Sequence, residues 1–221
     1  MLDKPDNMHS VVFFVTVRYD ESMANPHQKR YNTIANQWHK TRTNHSINQC
    51  IVDIVPLIKP QGHILDVGCG TGYPIAAYLI DQGFSVTGID VSEGMLAYAT
   101  QLALPRATFL HADIQSWQSS LTYDAIIAFD SLFHLPITSQ VPVLTKLCKW
   151  LNPGGILLFT HGKKTGEITG EMFGTLFSYS SLDQNDYQSL LSSQGLSLLR
   201  VDAPYQHPST GSRDLLMVAR K

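Results

Sequence analysis

The run His63-Ile64-Leu65-Asp66-Val67-Gly68-Cys69-Gly70-Thr71-Gly72 constrains the fold of this 221-residue chain more than any other segment. Apolar residues around a single acid make a short strand. Three glycines at alternate positions then make a turn whose backbone can take positive φ and approach a ligand with no Cβ between. Tyr73 to Gln82 follows with the apolar spacing of a helix. A glycine turn between the C-terminal end of a strand and a helix N-terminus is where doubly wound sheets bind nucleotides. The spacing separates two kinds of ligand. A dinucleotide pyrophosphate is cradled by G-x-G-x-x-G, whereas here the third glycine comes one residue early, in G-x-G-x-G, with Asp66 just before the loop.

The same alternation runs down the chain. Phe84–Asp90 alternates as a strand, and between Thr71 and Lys149 three helices alternate with strands. Upstream, residues 28–59 read as a two-helix cap. Tyr31, Ile34, Ala35 and Trp38 share one face, and a polar break at Thr41 to Asn44 precedes Ile47, Cys50, Ile51, Ile54 and Val55. Residues 162–181 show no clear period and read as a long insert, the sort of loop that is usually functional or mobile. Asp183–Ser193 is a last helix, and Leu196–Ala203 and Arg213–Ala219 end the chain as a hairpin-like pair. The pattern predicts a three-layer α/β/α sandwich, Rossmann-like, with a seven-stranded mainly parallel sheet and an antiparallel terminal strand. Residues 28–221 would be one domain. Residues 1–27 would be an extension, disordered or an extra strand built on Val11–Val17.

Composition narrows the partners. At 43% hydrophobic residues the chain can cover a central sheet on both faces, and a net charge of −2 with 15% charged residues and no Lys/Arg run gives no field for a nucleic-acid backbone. Cys50, Cys69 and Cys148 are too widely spaced for a disulfide framework or a zinc site, which fits a reducing cytoplasmic setting. No apolar segment nears the roughly 20 residues that cross a bilayer. The expectation is no membrane, no nucleic acid, no metal, and a monomer or homodimer.

Five of these segments, in this order over about residues 63–160, resemble the motifs of the class I S-adenosylmethionine-dependent methyltransferases. Asp66, Gly68, Cys69, Gly70, Thr71 and Gly72 resemble motif I. Asp90, at the tip of the second strand, is the acid that the resemblance assigns to the ribose hydroxyls of S-adenosyl-L-methionine; its plainer reading is a helix-capping acid. Val91 to Leu96 resembles the following helix start, with Ser92 as cap and Met95 against adenine. Asp113 and Ile114 resemble the third-strand acid and its neighbour near the adenine amino group, unless Asp113 only caps its turn. Tyr123–Asp130 resembles strand four, with Phe129 and Asp130 at the cofactor, and Leu151–Phe159 resembles the turn and strand five. Asp66 either pins the loop or holds the cofactor's ammonium, and Cys69 is a small filler.

Methyl transfer from a sulfonium is an in-line displacement, so the protein supplies alignment, desolvation and, for some nucleophiles, a base. After strand four the chain reads Phe129-Asp130-Ser131-Leu132-Phe133-His134-Leu135. The Asn/Asp-Pro-Pro-aromatic motif of the relatives that methylate exocyclic amines is absent, and the segment resembles the small-molecule branch. There a histidine faces the methyl group, which makes His134 the catalytic candidate; the alternative is that it braces the turn. Tyr31, Trp38, His134, His161 and Tyr179 are the substrate-binding candidates. Met172, Phe173 and Phe177 would add walls, and His207 and Arg213 are further polar candidates. Two rival readings are an NAD-dependent oxidoreductase and a non-catalytic S-adenosylmethionine-binding partner subunit.

Overall fold

The computed structural model describes residues 25–43, 45–207 and 211–221, so Val11–Val17 lies outside the described residues. In chain order the elements are α1 (Pro26–Arg42), α2 (Gln49–Ile54), β1 (His63–Val67), α3 (Ile75–Asp81), β2 (Ser85–Asp90), α4 (Glu93–Gln101), β3 (Ala107–His111), β4 (Tyr123–Ala128), α5 (Ile137–Trp150), β5 (Leu151–His161), β6 (Gly166–Met172), β7 (Thr175–Ser181), α6 (Gln184–Ser193), β8 (Ser197–Asp202), β9 (Tyr205–His207), β10 (Gly211–Arg213) and β11 (Leu215–Arg220). Two 3-10 turns lie at Val55–Leu57 and Leu132–His134.

Seven strands form the central sheet in the order β3-β2-β1-β4-β5-β11-β8. β1 to β5 pair in parallel, in registers such as Ile64 opposite both Val86 and Ala125, while β11 runs antiparallel between β5 and β8. Alternate residues bury opposite faces. Leu65, Ile126 and Leu157 enter one hydrophobic cluster and Ile64, Ile127 and Leu158 the other. That two-sided burial is why these strands are almost continuously apolar. The seven-stranded, mainly parallel α/β/α sandwich read from the sequence is the fold.

Three details differ from the sequence reading. The helix after the glycine loop starts at Ile75 rather than Tyr73, because Tyr73 precedes Pro74 and the residue before a proline is disfavoured in helical conformation. Residues 166–181 are not an aperiodic loop but a β-hairpin of β6 and β7, with Met172 opposite Thr175. Its turn, Phe173-Gly174, has φ of +51° and +72°, and a two-residue turn with positive φ at both positions matches the twist of the strands it joins. At the N-terminal end, Asn25 caps α1, its side chain accepting from His27 N at 3.0 Å, and Pro26 takes the first turn, where its missing N–H costs nothing. Residues 25–27 therefore belong with the helical cap.

Candidate cofactor and acceptor site

β1 and β4 are neighbours whose onward connections lead to opposite sides of the sheet, toward β2 and β5. Such a switch point opens a crevice at the C-terminal strand ends. A cavity lies there, floored by the glycine loop and roofed by α1. Gly68, Gly70 and Gly72 all have positive φ. A Cβ on Gly68 would come 2.4 Å from the Ser131 Cβ, and the nearest atom to one on Gly70 is Trp38 Nε1 at 3.7 Å, so Gly70 faces the open space. Gly72 packs instead against Phe109, Leu102 and Ala99, away from the cavity. Cys69 sits beneath Gly88 of β2, where a Cβ would meet its sulfur at 2.8 Å. Burial raises its thiol pKa well above the usual range, so the thiolate that reactivity needs is suppressed.

The acids divide the labour. Asp90, at the end of β2, accepts Gly70 N–H on one oxygen and Ser92 N–H on the other, both at 2.8 Å. It thus braces the loop and itself lies on the cavity wall. Burial raises its pKa against the pull of those N–H groups. Asp66 is 2% exposed, and its Oδ2 has no partner. Burial and then the charge of Asp90 push it up to about 7. The Ser131 hydroxyl, also on the cavity wall, is likewise buried without a partner, as is that of Thr71, which does not line the cavity. Buried polar atoms are rarely left unpaired in a finished fold, so such atoms in a cavity wall mark where a ligand's polar groups belong.

At one end of the cavity Val91, Met95, Asp113 and Ile114 form the wall. Ser92 caps α4, its hydroxyl accepting from Met95 N at 3.1 Å, and Asn32 of α1 accepts from Ser92 Oγ at 2.6 Å and Gly94 N at 2.9 Å. Asp113 accepts from Gln115 N at 2.8 Å and from the Asn25 side chain at 3.0 Å. Behind it Lys146 of α5 donates to the carbonyls of Ile114, Gln115 and Trp117, fixing the turn that aims Asp113.

Phe129, Asp130 and His134 form the other end, facing Tyr31, Trp38 and Arg42 of α1. His134 Nδ1 lies 3.0 Å from the Ser178 carbonyl, which can only accept, so Nδ1 carries the proton. Nε2 then accepts from the Tyr31 hydroxyl at 2.6 Å. Burial, reinforced by nearby His27, lowers the His134 pKa to about 3. Tyr31 is pushed well above the normal phenol range, chiefly by burial. At neutral pH the pair is a neutral phenol donating to a neutral imidazole. Asp130, at φ +56°, is held in that strained backbone conformation by its N–H donating to Thr160 Oγ1 at 2.8 Å and by a bidentate pair with Arg213, both contacts 2.5 Å.

Two substrate candidates fall elsewhere. His161 is 3% exposed behind the wall, its ring 4.8 Å from that of Tyr187, and burial lowers its pKa to about 3. Tyr179 packs against His134 with its ring tilted by 38° at 4.9 Å between ring centres, without reaching the cavity. Met172 and Phe177 back the α1 face in a small cluster, Phe173 is exposed at the hairpin tip, and the His207 side chain lies outside the described residues. Arg213 reaches the site through Asp130. Among the described residues no His, Cys, Asp and Glu cluster could hold a metal. The sequence reading missed Asn25, His27, Arg42, Asn48 and Ser131, all on the wall. His27 and Arg42 were legible in principle, since they extend the Tyr31-Trp38 stripe one turn each way; their polarity hid the continuation.

The strand order, with a glycine loop after β1, an acid at the tip of β2 and an acid just after β3 around one crevice, defines a Rossmann-like α/β fold. The sequence profile of a family described as "Methyltransferase domain" matches residues 64–155. Trans-aconitate 2-methyltransferase of Escherichia coli (strain 55989 / EAEC) is 39% identical over 98 residues, 43% of this chain and 37% of that protein. The match thus spans well under half of that relative. Among solved structures, magnesium protoporphyrin IX methyltransferase of Synechocystis PCC 6803 with bound S-adenosylmethionine superposes with a TM-score of 0.68 at 20% identity, covering 94% of this chain and 100% of the other. The [4+2]-cyclase SpnF superposes with a TM-score of 0.67 at 19% identity, covering 90% and 96%. Residues 64–155, which build the loop and the acids, are thus the part of the chain that is similar in sequence to methyltransferase domains.

Proposed function

We propose that the protein is an S-adenosylmethionine-dependent methyltransferase acting on a small-molecule acceptor. The observation that carries this is the unpartnered buried Asp66 oxygen beside a glycine loop whose open face, at Gly70, looks across to Asp90 and Asp113. This donor set fits the cofactor's groups. Asp66 would take the ammonium, Asp90 the ribose hydroxyls and Asp113 the adenine amino group, with Val91, Met95 and Ile114 against the ring. When bound, the cofactor supplies an activated methyl on a sulfonium.

The protein's own part is alignment and exclusion of water. α1 seats Tyr31 and Trp38 over the loop, and Phe129 and Leu132 wall the far side. Both nitrogens of His134 are engaged and its pKa is depressed, so it serves as the positioning partner of Tyr31 rather than as a base. Because the Tyr31 O–H is donated to His134 as a hydrogen bond, its oxygen is left to accept one from an acceptor O–H or N–H, which would turn the nucleophile's lone pair toward the methyl. The presence of a cyclase on the same fold makes activity a property of these residues and not of the architecture. Incubating the protein with S-adenosylmethionine and a panel of phenols, acids and amines should release S-adenosylhomocysteine with at least one acceptor. Tight cofactor binding with no release across the panel would favour the non-catalytic subunit.

A further inference from the structure

The acceptor end of the cavity holds a charge arrangement that alignment of a neutral substrate does not require. Two guanidinium groups, Arg42 of α1 and Arg213 of β10, converge on one carboxylate, Asp130. Their shares are unequal. Arg213 takes both Asp130 oxygens through Nε and Nη2 at 2.5 Å each, whereas Arg42 reaches only Oδ2, through Nη2, at 3.5 Å. The Arg42 side chain is only 13% exposed, and its guanidinium lies 4.3 Å over the Trp38 ring, on the cavity wall. Arg213 thus takes the larger share of Asp130, which leaves most of the Arg42 donor fork available in a partly desolvated space, where a charge needs a partner. Arg42 presents a planar fork of donors, and its contact with Asp130 uses one edge. Trp38, under that fork, also lies beside Gly70 of the glycine loop.

We infer that Arg42 is a docking residue for a ligand carboxylate, with Asp130 and Arg213 setting its position. The inference rests on the methyltransferase reading and narrows it. The carboxylate has two sources within reach, the amino-acid end of the methyl donor or an acidic acceptor. Bidentate geometry would bring the carboxylate oxygens in line with two guanidinium nitrogens, the strongest form of such a pair. Trp38 would hold the guanidinium plane by stacking.

Calorimetry on the wild-type protein, Arg42→Gln and Arg42→Lys separates the sources. The first arm compares S-adenosylhomocysteine with its decarboxylated analogue, which keeps the amine. The second, at saturating S-adenosylhomocysteine, compares benzoate with neutral benzamide. If the donor supplies the carboxylate, wild type should prefer S-adenosylhomocysteine to its analogue by about 10- to 100-fold, Arg42→Gln should erase the preference, and Arg42→Lys should restore part of it. If the acceptor supplies it, both donors should bind alike and the preference for benzoate should disappear in Arg42→Gln. Wild type showing neither preference, or Arg42→Gln keeping whichever one wild type shows, overturns the inference. The wild-type comparison needs no variant, so it stands even if Arg42→Gln folds poorly. Failure of wild type to bind either donor counts against the methyltransferase reading; the benzoate arm, run without donor, still reads Arg42.

Discussion

Tyr31 and His134 were each legible as single residues, but their pairing was not, because they are 103 positions apart and meet only when α1 closes over the loop after β4. The pairing changes what each is expected to do. Loss of one neutral hydrogen bond costs about 0.5–1.5 kcal/mol, so Tyr31→Phe and His134→Ala should slow turnover about 2- to 10-fold. Loss of a general base would cost about 10²–10⁴-fold. With the imidazole pKa lowered to about 3, the wild-type rate should show no histidine limb between pH 5 and 8. A limb near the ordinary imidazole value that vanishes in His134→Ala would return the base role to His134. Asp66 yields a second expectation. Pushed up to about 7 when the cavity holds no cation, it should ionise when an ammonium binds beside it. S-adenosylhomocysteine binding near pH 6 should therefore release close to one proton, read as a binding enthalpy that varies with buffer, and Asp66→Asn should abolish the release.

At the scale of elements, α1, the β6–β7 hairpin and the turn after β3 give the site its shape. The glycine loop and the parallel strands were readable because their requirements are local. Gly70 must take positive φ, and strands buried on both faces must be apolar. The hairpin was not, since its turn is Phe-Gly rather than Asn-Gly and only Phe177 and Ser180 of its residues are buried. A two-stranded ribbon with one face in water has few contacts to resist opening. Hydrogen exchange without ligand should be slow over Ile64–Val67 and faster over β6, β7 and α1, and S-adenosylhomocysteine should slow it at Tyr31 and Trp38. Equal protection of all four segments, unchanged by ligand, would count against α1 as a closing element. Lys146 offers a different test. It holds three carbonyls of the turn behind Asp113, so Lys146→Met should weaken adenosine and S-adenosylhomocysteine binding by similar factors while leaving benzoate binding unchanged. Weakened S-adenosylhomocysteine binding with adenosine unaffected would show that Lys146 does not act through the adenine end.

For the molecule as a whole, the buried titratable groups set how the fold meets acid. Burial lowers His27 to about 4 and His134 and His161 to about 3, so below pH 6.5 the unfolded chain takes up protons that the folded chain refuses. Stability from these three is complete above pH 6.5 and is lost as pH falls toward 4. Asp66 acts oppositely, since its raised pKa favours the fold as pH falls from 7 toward 4. Asp90, also raised by burial, acts with Asp66; three histidines against two carboxyls make the net expectation a melting temperature that drops on acidification from pH 6.5 to 4.5, and His161→Phe should flatten the slope. A melting temperature that rises over that range would show that these histidines titrate normally. The central claim, that the crevice at the ends of β1 and β2 binds an S-adenosyl cofactor rather than a dinucleotide, is tested most directly by titrating S-adenosylhomocysteine and NAD into wild type and Asp90→Ala. S-adenosylhomocysteine should bind wild type, lose about 10- to 100-fold in affinity with Asp90→Ala, and meet no competition from NAD; tight NAD binding, or unchanged S-adenosylhomocysteine affinity in Asp90→Ala, would contradict it.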